Sequence, residues 1–259
     1  MRFKKVIAAI ALAAGLTATV TACSQKPSNE EVIKQVNKHK IQSFHMTQDM
    51  TTEVNGQKQA IKQEITFGGN PMTAKATSSA AGQEVKMWTS GTNQYISAGD
   101  ADTWYKTKIT DPTQSADKIA KSMKNSNNIL AANKEIAKNA SIKEDGDNYV
   151  ITVKNNKDTN DAISKSVYEA ITKMGNTNQA DQAKEIAKQM KIKKFTFTET
   201  VDKKTYKVKK LTSKGTISVE GVITMNFKQV MDHINGYPHL KVPADVENNA
   251  KLLKSLNKK

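Results

Sequence analysis

The chain has 259 residues, a formal net charge of +15 and one cysteine. This length allows one large domain or two small ones, and a single cysteine excludes an internal disulfide bond. Arg2 is the only arginine, and because recognition of guanine and phosphate relies on the bidentate guanidinium group, we expect no nucleic-acid partner.

The first 22 residues have the pattern of a secretion signal. Met1–Lys5 is basic, and the 16 residues from Val6 to Thr21 carry no charge. This run is shorter than the roughly 20 apolar residues that span a bilayer. It ends in Val20-Thr21-Ala22-Cys23, which resembles the lipobox of bacterial lipoproteins. The resemblance implies that Cys23 becomes the first mature residue, carries a diacylglyceryl and palmitate lipid anchor, and holds the protein on the extracytoplasmic face of the cell membrane.

The mature chain is expected to begin with a short tether. Residues 23–30 are mostly polar and include Pro27, which is typical of a flexible linker, and residues 31–259 are expected to form one domain. Three basic residues belong to the signal, which leaves a charge of +12 outside it. This lysine excess favours solubility and attraction to anionic lipid headgroups or wall polymer. Two alternatives stay open: an ordinary signal cleaved before an unrelated thiol, and a lysine content that reflects codon usage alone.

The first half of the domain has the pattern of one helix followed by a meander of strands. An apolar stripe at helical spacing predicts a helix over Asn29–Lys40, which Asn29 can cap. The period then becomes two, and Asn55-Gly56 is a strong hairpin signal. Turn residues at short intervals predict five or six antiparallel strands between about residues 41 and 108.

The second half combines helices with long strands. Meanders towards both ends of the chain, with helices between them, favour an antiparallel α+β domain over a doubly wound parallel fold. Helices are predicted at Thr113 to about Lys124, Asn127–Lys138, Asp158–Met174, Gln179–Met190 and Val242 to about Leu253. A hairpin is predicted at Ser141–Lys154, and strands at Lys191–Val201, Tyr206–Ser218 and Val222–His233.

Several short motifs stand out within the first meander: Met46–Met50, Asn55-Gly56, Asn70-Pro71-Met72, Glu84–Trp88, Tyr95-Ile96 and Asp102–Lys106. They are similar to those of a family of uncharacterised lipoproteins of Gram-positive bacteria. The order of elements also resembles the superfamily of the outer-membrane lipoprotein carrier and the mycobacterial lipid-binding lipoproteins. The resemblance implies a curved, half-open antiparallel β-barrel-like sheet that is wrapped around or covered by helices, with a lipid held between them.

Apolar residues at inward-facing strand positions are the candidate ligand-binding residues. Methionine is unbranched and adaptable, so it suits a wall that must fit variable acyl chains. The alternative, that these side chains fill a packed core under the helices, stays open. The candidates are Phe44, Met46, Met50, Ile61, Ile65, Phe67, Met72, Met87, Trp88, Trp104 and Met225.

No pattern indicates catalysis, a cofactor or a metal centre. The sequence has no nucleophile elbow, Walker loop or dinucleotide fingerprint. We interpret His45 and Asp49 as a solvated pair on the outward face of their strand. Asp100–Asp102 and Asp145–Asn148 have calcium-like oxygen spacing but lack a distal glutamate, so we expect turns there. The histidines, none of which has zinc-binding spacing, are His39, His45, His233 and His239.

An aromatic group is concentrated near the end of the first meander. It consists of Trp88, Tyr95, Trp104 and Tyr105. A stacking surface for sugar or the mouth of a cavity is one interpretation. We favour cross-strand aromatic pairing, which is common in antiparallel sheets.

We therefore expect a membrane-anchored binding protein and not an enzyme. An apolar groove between sheet and helices would hold a lipid, lipid-linked glycan or similar amphiphile without covalent chemistry. The alternative is a cell-envelope interaction protein whose core is packed and whose lysine-rich surface meets anionic wall polymer or a partner protein. Saturable binding of apolar dyes favours the first function, and salt-sensitive polymer binding favours the second.

Overall fold

The computed structural model describes residues 26–98, 103–111, 115–127, 134–172, 189–219 and 223–253. The predicted signal peptide, Cys23 and the Asp100–Asp102 turn lie outside these ranges, as does most of the helix predicted at Gln179–Met190. Within these ranges no helix is long and apolar enough to cross a membrane.

One open sheet of 12 strands dominates the described part of the chain. The strands are β1 (Phe44–Val54), β2 (Gln57–Gly68), β3 (Thr73–Ala80), β4 (Gln83–Ser90), β5 (Asn93–Ala98), β6 (Tyr105–Lys108), β7 (Ala140–Asp145), β8 (Asn148–Lys154), β9 (Met190–Asp202), β10 (Val208–Val219), β11 (Ile223–Asp232) and β12 (Lys251–Leu252). Their order is β12-β6-β5-β4-β3-β2-β1-β11-β10-β9-β8-β7. Neighbouring strands are antiparallel, apart from β12, which runs parallel to β6.

The expected α+β, barrel-like architecture is therefore correct only in part. The sheet is antiparallel and open, but the described residues are mostly strand, with few helices. Two meanders, β1–β6 and β7–β11, join side by side through β1 and β11. One edge of the joined sheet is β12, which has only 2 residues. So short a strand offers too few backbone groups to close a barrel against β7.

Tight turns set the register of the first meander. Asn55 and Gly56 have φ values of 48° and 80°, and Ala81 and Gly82 have φ values of 50° and 79°. Positive φ at both central residues is the geometry of a type I′ turn, whose twist matches that of the flanking strands. The hairpin predicted at Asn55-Gly56 is thus confirmed, and it places Met50 directly opposite Ile61.

Five helices lie in the described ranges: α1 (Asn29–Val36), α2 (Ala116–Asn127), α3 (Lys134–Lys138), α4 (Lys157–Thr172) and α5 (Ala244–Asn249). The cap of α1 is Ser28 and not Asn29, because the Ser28 hydroxyl accepts a 3.2 Å hydrogen bond from the Glu31 amide. The predicted extension of α1 to Lys40 is wrong, since its apolar stripe ends at Val36.

The main hydrophobic core lies on the face of the sheet that carries Phe44 and Met46, here called the inner face. Alternate residues of a strand point to opposite faces, so His45 and Asp49 lie on the outer face. Phe44, Met46 and Met231 are at most 1% exposed. Helices α1 to α4 contribute apolar side chains to this cluster, namely Val32, Ile33, Val36, Ala116, Ala120, Ile136 and Ile163.

A smaller cluster lies on the outer face of β4 and β5. Trp88 is directly opposite Tyr95, and both pack with Val242 and Val246 from the C-terminal segment. Cross-strand pairing is thus confirmed for Trp88 and Tyr95; Trp104 packs against the same cluster, whereas Tyr105 is exposed and lies opposite Ile96. The helix predicted to reach Leu253 is too long, because the backbone beyond α5 leaves the helix and pairs with β6.

Candidate functional site

The predicted groove residues are divided between three environments. Those in or against the main core are Phe44, Met46, Phe67, Ile65 and Met72. Trp88 and Trp104 belong to the outer-face cluster. The remaining candidates are half-buried inner-face residues that belong to neither cluster, namely Met50, Ile61, Met87 and Met225. Methionine periodicity alone did not distinguish these environments, because it gives the face of a strand but not what covers it.

A continuous apolar row crosses the inner face through five strands. Phe195 is opposite Gly215, Gly215 opposite Phe227, Phe227 opposite Met50, and Met50 opposite Ile61. Phe195 is 7% exposed, whereas the other four are half-buried. Ligand grooves and partner surfaces commonly contain adjacent apolar side chains that remain accessible to solvent. We call these five residues the aromatic row, after its two phenylalanines.

A groove with a volume of about 620 Å³ lies at the β9 end of the aromatic row. This volume is within the range of small-molecule sites, about 300 to 1,000 Å³. Its lining residues include consecutive members of β9 and β10, so backbone atoms of some of them face the groove. The lining residues are Lys154, Asn155, Lys194, Phe195, Thr196, Lys214, Gly215, Thr216, Phe227 and Lys228.

Gly215 is the residue that lets Phe227 lie against the backbone of β10. A Cβ atom at this position would be 2.9 Å from the Phe227 Cε1 atom and 2.6 Å from the Lys194 carbonyl oxygen. Both distances are shorter than real Cβ contacts, so any larger residue would displace the ring. An isolated glycine within a strand pattern often marks such a close approach, and this signal was present in the sequence.

Four lysines line the groove: Lys154, Lys194, Lys214 and Lys228. Lys214 is directly opposite Lys228 in the register, a placement of like charges that destabilises a sheet. Asp49 is opposite Lys228 on its other side. None of the four lysines forms an ion pair with an acidic side chain in the described ranges. Lys228 is opposite the outer-face residue Asp49, and strand register places the other three lysines on the same face. Their side chains therefore project from the face opposite to the aromatic row. They give the outer face a positive potential that attracts anions.

A polar cluster lies on the outer face where β11 ends. The Asp232 carboxylate is 2.9 Å from Nδ1 of His45 and 2.8 Å from Nδ1 of His233. Nε2 of His45 is 3.2 Å from Oε1 of Glu64. Burial alone would raise the pKa of Asp232, but hydrogen bonds from His233 and His45 outweigh it and lower that pKa. The predicted pairing of His45 with Asp49 is wrong, because four residues along a strand separate them by about 13 Å.

Glu199 brings a carboxyl group onto the inner face of the sheet. It is 7% exposed and lies between Leu211 and Ile151, its direct cross-strand neighbours. No hydrogen bond or ion pair to Glu199 is found among the described residues. Because burial disfavours the ionised form, the pKa of Glu199 rises to about 7. The alternation Phe195, Phe197, Glu199, Val201 already places this glutamate on the apolar side.

The calcium-like segment Asp145–Asn148 is the turn between β7 and β8. Gly146 has a φ of 55°, and the Asp147 carbonyl accepts a 2.9 Å hydrogen bond from the Lys203 amide. These are features of an ordinary hairpin turn, as the sequence predicted.

The chain belongs to a family of unknown function, DUF6612, whose pattern matches residues 28–251. No curated protein sequence matches it. Among solved structures, a DUF1329 family protein from Desulfovibrio piger is similar over 79% of this chain and 89% of that one, with 10% identity and a TM-score of 0.20.

Proposed function

We propose that the protein is a membrane-anchored, extracytoplasmic lipoprotein that binds an anionic amphiphile without covalent chemistry. Cys23 would carry the anchor, as its lipobox-like context indicates. The apolar chain of the ligand would lie along the aromatic row on the inner face. The lysines of the outer face would attract an anionic headgroup through their long-range field and not by contact. The observation that carries the proposal is the half-buried, apolar run from Gly215 to Ile61 on the inner face of the sheet.

The two parts of the site supply different contributions to binding. Each methylene group that leaves water for the aromatic row contributes about 0.8 kcal/mol. The lysines contribute through charge, which acts on encounter and on headgroup preference more than on affinity. Met50 can adjust to chains of different shape because its side chain is flexible, whereas Phe227 lies closely against the backbone at Gly215 and provides a flat apolar surface. The site therefore suits a class of amphiphiles and not one rigid ligand.

The test compares two aspartate substitutions on β2. Ile61→Asp places a charge in the aromatic row, whereas Ala60→Asp places the same charge next to it on the outer face, opposite Thr51. Binding of dodecyl phosphate, below its micelle concentration, is measured by calorimetry on the tagless mature chain with Cys23→Ser. We expect Ile61→Asp to weaken binding by about tenfold or more, because a charge in an apolar site is costly to desolvate.

Circular dichroism establishes that both variants are folded before affinities are compared. The Ala60→Asp protein should bind like the parent chain. Equal binding by all three proteins, or no saturable binding by the parent, would contradict the proposed site. Organic extraction and mass spectrometry of the parent protein would then show whether it carries a ligand at another place.

A second candidate function is adhesion to anionic wall polymer through the lysine-rich surface. The specific observation in its favour is the Lys214–Lys228 pair, two like charges opposite each other that form no ion pair with an acidic residue in the described part of the chain. Such a protein would not need the aromatic row. The two functions therefore differ in their response to apolar ligands and to salt.

A further inference from the structure

The cluster of His45, Asp232 and His233 places three potential metal ligands together on the outer face. One ligand atom from each residue lies within 4.8 Å of the other two. Strand register places His45 directly opposite Asp232. His233 follows Asp232 with a φ of 47°, a left-handed conformation that is uncommon for residues other than glycine. Strained backbone of this kind is frequent at functional sites.

The rings are held in place before any ion binds. The imidazoles of His45 and His233 meet edge to face, with centroids 5.9 Å apart, and the His233 ring also contacts Tyr237. His45 is the more buried ring, with 18% of its side chain exposed against 67% for His233. The cluster is thus open to solvent on the His233 side, from which an ion can enter.

Glu64 occupies the position of an outer-shell partner. Its carboxylate lies 3.2 Å from Nε2 of His45, while Nδ1 of the same ring is directed at Asp232. Histidines that bind metals commonly donate their other ring N–H to a carboxylate, which fixes the tautomer and increases the basicity of the ligating nitrogen. With a metal bound, a proton on Nε2 that is donated to Glu64 would leave the Nδ1 lone pair of His45 for the metal, in place of the hydrogen bond from Nδ1 to Asp232.

We propose that His45, Asp232 and His233 bind one divalent transition-metal ion, with Zn²⁺ as the favoured ion, and that Glu64 orients His45. Two imidazole nitrogens and one carboxylate oxygen form a donor set that suits zinc and leaves a fourth position for water. Zinc bonds of about 2.0–2.1 Å in a tetrahedron require ligand atoms about 3.3 Å apart. The Asp232 oxygen would move away from each nitrogen by about 0.5 Å, and the two imidazole nitrogens, which lie within 4.8 Å of each other, would adopt the same spacing of about 3.3 Å through rotation of the exposed His233 side chain.

A purely ionic role is the competing explanation of the same contacts. In that case Asp232 accepts hydrogen bonds from the two imidazoles and the cluster has no affinity for metals. The two explanations predict different effects of a substitution at Glu64, whose side chain is 61% exposed. Exposed ion pairs contribute little to stability, so a purely ionic Glu64 would affect neither folding nor metal binding.

The test measures Zn²⁺ binding by titration calorimetry, using the tagless mature chain with Cys23→Ser so that no thiol competes. We expect saturable binding of one ion per chain and a thermal midpoint that rises with Zn²⁺ concentration. Asp232→Asn and His233→Gln should abolish saturable binding. Glu64→Gln should weaken it by about 10- to 100-fold, the usual effect of losing an outer-shell partner.

The matched controls are His39→Gln and His239→Gln, since both histidines are exposed and lie outside the cluster. They should bind Zn²⁺ like the parent chain. The Glu64→Gln protein keeps the test decisive if a ligand variant fails to fold, because that side chain is on the surface. Absence of saturable binding by the parent, or equal losses in the control variants, would overturn the proposal.

Discussion

Glu199 shows how the environment of one side chain affects the whole domain. It lies in a row of the inner face whose other members are apolar: Ala76, Ile65, Met46, Met231, Leu211, Ile151 and Ile142. A neutral carboxylic acid is tolerated in such a row much better than a carboxylate. The protonation state of Glu199 is therefore linked to folding.

The pH dependence of stability follows from this linkage. The pKa of Glu199 rises from 4.5 to about 7 on folding, so the folded chain binds more protons than the unfolded chain between these values. Stability should then fall as pH rises from about 4.5 to about 7, by a total on the order of 3 kcal/mol, and change little above that. Glu199→Gln should remove this part of the pH dependence. Urea unfolding at pH 5, 6, 7 and 8 measures it.

An exposed carboxylate provides the reference for this measurement. Glu84→Gln changes the same functional group at an exposed position on β4 and should retain the fall in stability of the parent chain. If Glu199→Gln also retains it, the carboxyl group of Glu199 is not the cause.

At the level of elements, local signals predicted the hairpins and missed the long-range contacts. Asn55-Gly56 specifies its own turn, and alternation then assigns each side chain of β1 and β2 to a face. The pairing of β1 with β11 joins residues that are far apart in the chain, such as His45 and Asp232, which are separated by 187 positions. No local pattern encodes that register. The polar cluster and the aromatic row were therefore beyond prediction, although each of their strands was predicted.

The C-terminal segment is the element whose role was least evident in the sequence. It crosses the outer face and makes backbone contacts at Gly68 and Gly69, and the Gly69 amide donates a 3.0 Å hydrogen bond to the Tyr237 carbonyl. A Cβ atom on either glycine would overlap this segment. The turn that follows β2 is a local feature of the chain, but the close approach of these glycines to a distant segment depends on tertiary structure.

The contribution of this segment can be measured with one pair of valines. Val246 of α5 is 4% exposed in the outer-face cluster, whereas Val85 of β4 is 40% exposed. Val246→Ala should lower the free energy of unfolding by about 2 kcal/mol through lost burial and an unfilled cavity. Val85→Ala should lower the free energy of unfolding by much less, because folding removes less of that side chain from water. Guanidinium unfolding provides both values, and equal losses would show that the segment is not packed as described.

For the whole molecule, the distribution of charge has to be considered together with the apolar row. A net charge of +12 outside the predicted signal attracts any anion, so binding of an anionic polymer alone would not identify a function. A neutral amphiphile would not respond to this field, and its binding would report on the aromatic row. Salt separates the two contributions, since the Debye length falls from about 10 Å at 0.1 M to about 3 Å at 1 M.

Binding of three ligands at low and high salt separates these contributions: dodecyl maltoside, dodecyl phosphate and a linear polyphosphate. If the aromatic row binds the alkyl chain of the amphiphile, the affinity for dodecyl maltoside, which is neutral, should change little between 0.1 M and 1 M salt. Affinity for dodecyl phosphate should fall only by the part that the lysines contribute. The double variant Lys214→Gln, Lys228→Gln should reduce that part and leave dodecyl maltoside unaffected. The opposite result would be no binding of either amphiphile and binding of polyphosphate only at low salt. Surface charge would then account for all of the binding, and the protein would be an adhesion protein.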